Sequence, residues 1–190
     1  MCGIAGIVAH QANRHKDALE AMHARIVHRG PDGIGFHFFS DCALAHARLS
    51  IIDLETGAQP LLYTQQERAA KVRSGIVFNG EIYNYRELKR AFDLECHTNA
   101  DTEIIPALYH KLGDNFCQHL IGMFAFALWD EENQRLVCAR DRFGEKPFYY
   151  AITHDNEFIF ASEVQAIIAS GLVRPVLNPN ALSSYLTLRY

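Results

Sequence analysis

Apolar positions along the chain change period repeatedly, and each change marks an element. Ile4 to Ala9 is an apolar run broken only by Gly6, the pattern of a buried strand whose glycine lets a backbone or ligand come close. Leu19, Met22, Ile26 and Val27 recur at helical spacing within 17–27, which gives one apolar face. Ile34–Phe39 and Cys42–Ala47 read as a hairpin turning at Ser40-Asp41. Residues 65–74 are polar and read as a solvent-facing turn. Ile76-Val77-Phe78 is a strand-like run that reaches Asn79-Gly80-Glu81, after which Tyr83, Leu88 and Phe92 fall at helical spacing. Asn79-Gly80 is therefore expected at a strand-to-helix corner. A helix start lies at Asp101 or Thr102, followed by an apolar face of Ile104, Ile105, Leu108 and Leu112, with Pro106 tolerable in the first turn. A short helix is expected over 116–121.

Gly122 to Trp129 is the most apolar stretch and predicts a central strand, with Leu136–Ala139 returning beside it. Residues 148–153 and 157–161 predict a further hairpin, and 162–168 a helix. Asn178-Pro179 is a cap-then-proline helix start, followed by Leu182, Tyr185, Leu186 and Leu188. Strands outnumber helices and arrive mostly as hairpins, so an α+β architecture is expected, antiparallel sheets with helices on their outer faces. The last apolar face stops at Tyr190 with nothing left to pack on. One domain over 1–190 is expected, with 172–190 as the start of a join to further chain.

Composition narrows the class. At 190 residues the chain is long enough for a sizeable core. A net charge of −4 and a pI near 6.2 give no support for nucleic acid or an anionic membrane as partner. No apolar run approaches the roughly 20 residues of a membrane span, and the N-terminus lacks the pattern of a secretory leader. The five cysteines are scattered, with no CxxC pair, which points to free thiols and a cytoplasmic setting. The ten histidines fall in no zinc-like spacing, so no metal site is expected.

Candidate chemistry begins at Met1-Cys2-Gly3. With Met1 removed, Cys2 carries a thiol and an α-amine on one residue, and the amine can take the thiol proton near neutral pH. Arg48 stands between apolar stretches and is either an anion clamp or a salt-bridged arginine at a strand end. Asn79-Gly80 is either a plain cap or turn, or a place where an amide side chain and a backbone N–H meet one oxygen. Asp101 is either the helix N-cap or a carboxylate aimed at an ammonium group. His28-Arg29-Gly30-Pro31-Asp32-Gly33 is a shaped loop, either a connection or a cover.

These residues carry a resemblance. Met1-Cys2-Gly3-Ile4-Ala5-Gly6, His28 to Gly33, Ala47-Arg48-Leu49-Ser50-Ile51, Asn79-Gly80-Glu81-Ile82-Tyr83-Asn84 and Asp101-Thr102-Glu103 resemble, in order, the class II glutamine amidotransferase domain. Gly122 to Ala127 and Arg140-Asp141-Arg142-Phe143-Gly144 resemble in particular the domain of glutamine-hydrolysing asparagine synthetases and their relatives.

The resemblance implies a four-layer αββα sandwich of two antiparallel sheets, of the N-terminal nucleophile hydrolase type. It implies Cys2 as nucleophile, and Asn79 and Gly80 as oxyanion donors. Arg48 would bind the substrate α-carboxylate, Asp101 with Glu81 the α-ammonium, and the backbone of Leu49, Ser50, Ile51 and Ile52 would line the site. Arg29, Gly30, Pro31, Asp32 and Gly33 would form a lid. Glutamine is the implied substrate, and no cofactor is implied in this domain. ATP and magnesium would serve a C-terminal synthetase domain in cis that amidates aspartate; no phosphate-binding loop of that kind occurs here. A homodimer, a sugar or secondary-metabolite acceptor, and an inactive regulatory domain of the same fold are the other implied possibilities.

Overall fold

The computed structural model describes residues 1–50, 57–64 and 72–189. The expectations for Ile51 and Ile52, and for most of the polar turn at 65–74, lie outside the described residues.

In chain order the elements are β1 (Gly3–Val8), α1 (Lys16–Ala24), β2 (Gly33–Phe38), β3 (Cys42–Arg48), β4 (Leu61–Thr64), β5 (Val72–Ile82), α2 (Tyr85–Ala91), α3 (Ile104–Leu112), β6 (Gly122–Asp130), β7 (Arg135–Arg140), β8 (Tyr149–Ile152), β9 (Phe158–Ala161), α4 (Val164–Ala169) and α5 (Pro179–Leu188). Short 3-10 turns cover Val27–Arg29, Asp101–Glu103 and Gly113–His119. The strands form a five-stranded sheet in the order β2-β3-β1-β9-β8 and a four-stranded sheet in the order β4-β5-β6-β7. Every pairing is antiparallel.

Strand alternation builds the layers. Ala5 and Ile7 of β1 face α1 and α4, joining Leu19, Met22, Ile26, Ala166 and Ile167 in one core. Ile4 points the other way and meets Leu44, Val77, Ala125, Ala127, Trp129 and Phe160 between the sheets. Phe124, Phe126 and Leu128 of β6 turn outward to Ile104, Ile105 and Leu108 of α3 and Leu88 of α2. Three apolar layers between four structural layers make an αββα sandwich, in accord with the expected α+β class.

Two expectations are corrected. Asn79-Gly80 does not sit at a strand-to-helix corner. β6 is apolar from Gly122 to Trp129, and its ladder with β5 runs on to Ile82 opposite Gly122, so the pair lies inside β5 opposite Ala125 and Phe124. Asp101 is not an N-cap: Ala100 holds that position before the 3-10 turn. The Asn178 cap forms as expected, its side chain accepting from the backbone N–H groups of Asn180 and Ala181. None of the residues of α5 is buried, and Leu182, Tyr185, Leu186 and Leu188 are exposed.

Candidate active site

β1 begins at Gly3, so Cys2 is held at the end of the central strand of its sheet. Its thiol lies against the chain leaving β3: the Leu49 backbone N–H donates to Sγ at 3.4 Å, and Sγ lies 3.6 Å from the Leu49 carbonyl. Burial pushes the thiol above its usual range. The Leu49 hydrogen bond and the positive charges of the N-terminus and Arg48 partly offset that rise. A thiol in this setting stays protonated at neutral pH and needs a base before it attacks.

An open cleft lies beside Cys2. Arg48 and Leu49 come to it from β3, Asn79, Gly80 and Glu81 from β5, and Asp101 from its 3-10 turn. The sequence expectations for these residues thus converge on one place. Opposite charges stand in the same cleft, the Arg48 guanidinium and the Glu81 and Asp101 carboxylates.

The unpaired edge of β5 organises the cleft. β4 pairs with β5 only as far as Leu61 opposite Ile76, so beyond Ile76 one side of β5 has no strand beside it among the described residues. In an antiparallel strand alternate residues send their N–H and C=O to the same side. Phe78, Gly80 and Ile82 therefore share the unpaired side. The Phe78 N–H donates to Gln59 Oε1 at 2.6 Å, and the Ile82 N–H donates to Asp101 Oδ2 at 2.8 Å. Gly80 lies between them and directs its N–H into the cleft. Asn79, 1% exposed, lines the same cleft, and its Nδ2 has no hydrogen-bond partner among the described residues. Buried amides are rarely left unpaired, so this atom is a donor awaiting an acceptor. Gly80 has to be glycine, because a Cβ there would collide with the Met123 carbonyl and the Phe124 Cα across the ladder.

Asp101 is 5% exposed, and burial pushes its carboxyl up to about 6, with a further rise from Glu81 and an offset from the Ile82 N–H. A buried carboxylate with raised pKa gains most from an arriving cation.

The segment 29–33 does not line the cleft; it braces the cleft from behind. Arg29 Nε donates to the Cys2 carbonyl at 3.1 Å while Nη1 pairs with Glu163 at 2.9 Å, and His28 shares the same Glu163 oxygen. Gly30 packs against the backbone of Ala47 and Arg48, where a Cβ would not fit. Asp32 accepts the Ser50 N–H at 2.8 Å, and its own N–H donates to the Arg48 carbonyl at 2.9 Å. Pro31 and Gly33 complete the turn into β2. Ser50 is held by this brace and does not line the cleft.

Sequence reasoning did not single out Gln59, Thr102 or Lys146 as site residues, yet all three line the cleft. Gln59 lies just before β4, and Lys146 in the turn that follows β7. That turn is internally bonded: Asp141 accepts the N–H groups of Phe143, Glu145 and Lys146, and Arg140 donates to the carbonyls of Gly144 and Lys146. Among the described residues no group of three or more His, Cys, Asp or Glu side chains is placed to hold a metal ion. No helix there is long and apolar enough to cross a membrane.

Comparison with known proteins adds the following. The family model described as "Glutamine amidotransferase domain" matches residues 1–190. A putative asparagine synthetase [glutamine-hydrolyzing] 2 of Methanocaldococcus jannaschii is 40% identical, matching 100% of this chain and 40% of its own length. Asparagine synthetase [glutamine-hydrolyzing] 2 of Bacillus subtilis is 40% identical over 89% of this chain and 22% of its own. Amidase chry2 of Gibberella zeae is 39% identical over 90% and 27%. The chain thus spans two fifths or less of the length of these relatives. A solved structure of the allosteric regulatory enzyme of purine biosynthesis shares the fold, with a TM-score of 0.70 at 22% identity over 90% of this chain and 43% of that one.

Proposed function

This chain belongs to the glutamine amidotransferase domain family, and from that premise we propose that it hydrolyses glutamine to glutamate and ammonia through Cys2. The observation that carries the reading is the unpaired edge of β5. It presents an unpartnered buried amide at Asn79 and the Gly80 N–H, beside Cys2, between Arg48 and the carboxylates of Glu81 and Asp101. That set complements glutamine group by group. Arg48 suits the α-carboxylate, for which a guanidinium is shaped. Asp101 and Glu81 suit the α-ammonium. The side-chain amide carbon is then directed toward sulfur.

With Met1 removed, the Cys2 α-amine takes the thiol proton as Sγ attacks the amide carbon. Asn79 Nδ2 and the Gly80 N–H hold the resulting oxyanion. The tetrahedral intermediate collapses with cleavage of the C–N bond, and the protonated amine gives its proton to the departing ammonia. Water then attacks the γ-glutamyl thioester, the same donors hold the second oxyanion, and glutamate leaves as the thiol regains its proton.

Ammonia would pass to a synthetase portion of a longer cytoplasmic protein, in which ATP and magnesium activate aspartate. The names and greater lengths of the two synthetase relatives support that part of the reading. The comparable identity of the amidase relative supports a second acceptor class in place of aspartate. Glutamate release from glutamine by the processed protein, compared with Cys2→Ala, tests the hydrolytic step; equal release by both would overturn it. Intact mass checks the N-terminus: active protein that retains Met1 would remove the proposed base. Asparagine formed from aspartate, ATP and glutamine separates the two acceptors.

A further inference from the structure

Gln59 stands where the β4–β5 ladder would continue. Leu61 opposes Ile76, so the same register would set Gln59 opposite Phe78. The backbone pairing stops, and the Gln59 side chain takes its place, with Oε1 accepting the Phe78 N–H at 2.6 Å. This bond fixes the amide's orientation, because only the oxygen can face an N–H. Nε2 is then turned to Thr102, the neighbour of Asp101, at a loose 3.5 Å. The other half of Phe78 is held from the opposite sheet. His46, fully buried on β3, has Nε2 3.2 Å from the Phe78 carbonyl. That nitrogen must carry the hydrogen, since a carbonyl can only accept. Gln59 is itself held in place, its carbonyl lying so close to Gly35 that a Cβ there would not fit.

We propose that Gln59 and His46 are positioning residues that clamp the Phe78 peptide and so aim Asn79 and Gly80 at the oxyanion. Without them the Phe78 N–H and C=O would be buried and unpaired, and the chain would shift to satisfy them. Any such shift moves the next two residues, whose donors have to lie about 2.7–3.1 Å from the developing oxyanion. Arg48 comes from the end of β3 and Asp101 from its own 3-10 turn, tied to β5 only beyond Gly80 at Ile82, so the shift acts on the oxyanion donors more than on substrate binding. The inference rests on the glutaminase reading for its kinetic consequence but not for the clamp itself.

The test uses Gln59→Met, Gln59→Glu and His46→Leu in the full-length protein. Gln59→Met keeps length and removes the acceptor; it is expected to lower kcat for glutamate release by about tenfold or more, with KM changed less than about threefold. Gln59→Glu restores an acceptor for the Phe78 N–H and is expected to recover kcat to within about threefold of the parent. His46→Leu reproduces the kcat loss from the other side and carries the test if Gln59→Met does not fold. Backbone hydrogen exchange of the segment 72–82 is read in parallel and is expected to speed up in Gln59→Met and His46→Leu but not in Gln59→Glu. A Gln59→Met protein with parental kcat, or equal losses in Gln59→Met and Gln59→Glu, would overturn the proposal. If the parent releases no glutamate, the functional reading falls, while the exchange measurement still decides the clamp.

Discussion

At the scale of single residues, two side chains carry costs that only a ligand relieves. Asn79 Nδ2 is buried without a partner among the described residues, an arrangement that costs stability until an acceptor arrives. Asn79→Ala is therefore expected to cut turnover by about 10²–10³-fold, while Cys2 is still alkylated by iodoacetamide. Steady-state kinetics on the pure variant check this, and a loss under tenfold would remove Asn79 from the oxyanion role. Asp101 is the second case, with its carboxyl raised to about 6 mainly by burial. Glutamine binding is expected to weaken as pH falls through about 6, because the protonated acid no longer pairs with the ammonium. KM measured from pH 5 to 8 should rise on the acid side, and Asp101→Asn should raise KM throughout and flatten that limb. The effect on folding has the opposite sense: Asp101's contribution is fully present below its unfolded pKa of about 3.9 and is lost as pH rises through about 6.

At the scale of elements, the site depends on one strand being shorter than its neighbour. β5 has 11 residues and β4 has four, so the far end of β5 keeps a paired side against β6 and an unpaired side toward the cleft. Close packing against β6 keeps that end straight. Gly80→Ala sets a methyl against the Met123 carbonyl and Phe124, so the two strands must part. A loss of about 1–3 kcal/mol is expected in urea unfolding, together with loss of glutamate release. A variant of parental stability would show that the ladder opens there without cost. The 29–33 brace works in the same way on β3. Gly30 fits against the Ala47–Arg48 backbone, and Asp32 ties the chain at both Arg48 and Ser50, so the arginine of the cleft is presented from a fixed strand end.

At the scale of the molecule, the two halves of the site belong to different sheets: Cys2 and Arg48 to one, Asn79 and Gly80 to the other. Their separation is set by the apolar layer between the sheets, where Phe160 is fully buried, stacks on Phe148, and fills the space beside Gly6. Phe160→Ala should cost about 3–5 kcal/mol of stability. Because the sheets would settle closer together, kcat should fall although Phe160 touches no substrate group. Chemical denaturation and kinetics on one preparation check both; a stable but inactive variant, or an unstable one with parental kcat in the folded fraction, would break the link. The exposed apolar residues of α5 contrast with this interior.

Local pattern determined most of the elements, because strand and helix periods are written in consecutive residues. The hairpins 34–39/42–47 and 122–129/136–139, the helix face of 104–112 and the Asn178 cap all follow from neighbours within a few positions. The candidate residue set was legible for a different reason: its motifs, in order, resemble the class II glutamine amidotransferase domain, and the resemblance implied a role for each residue. Tertiary structure alone decided how those groups are held. Asn79-Gly80 looked like a strand-to-helix corner because helical spacing follows it, yet the long ladder with β6 kept it extended. Arg29 looked like part of a cover, yet Cys2 and Glu163, far apart in sequence, capture its guanidinium. Gln59 carried no signal, because its role exists only where a strand some 20 residues later runs out of backbone partners. Periodicity records what a residue's neighbours in sequence need, whereas an unpaired edge is created by the elements that fail to reach it.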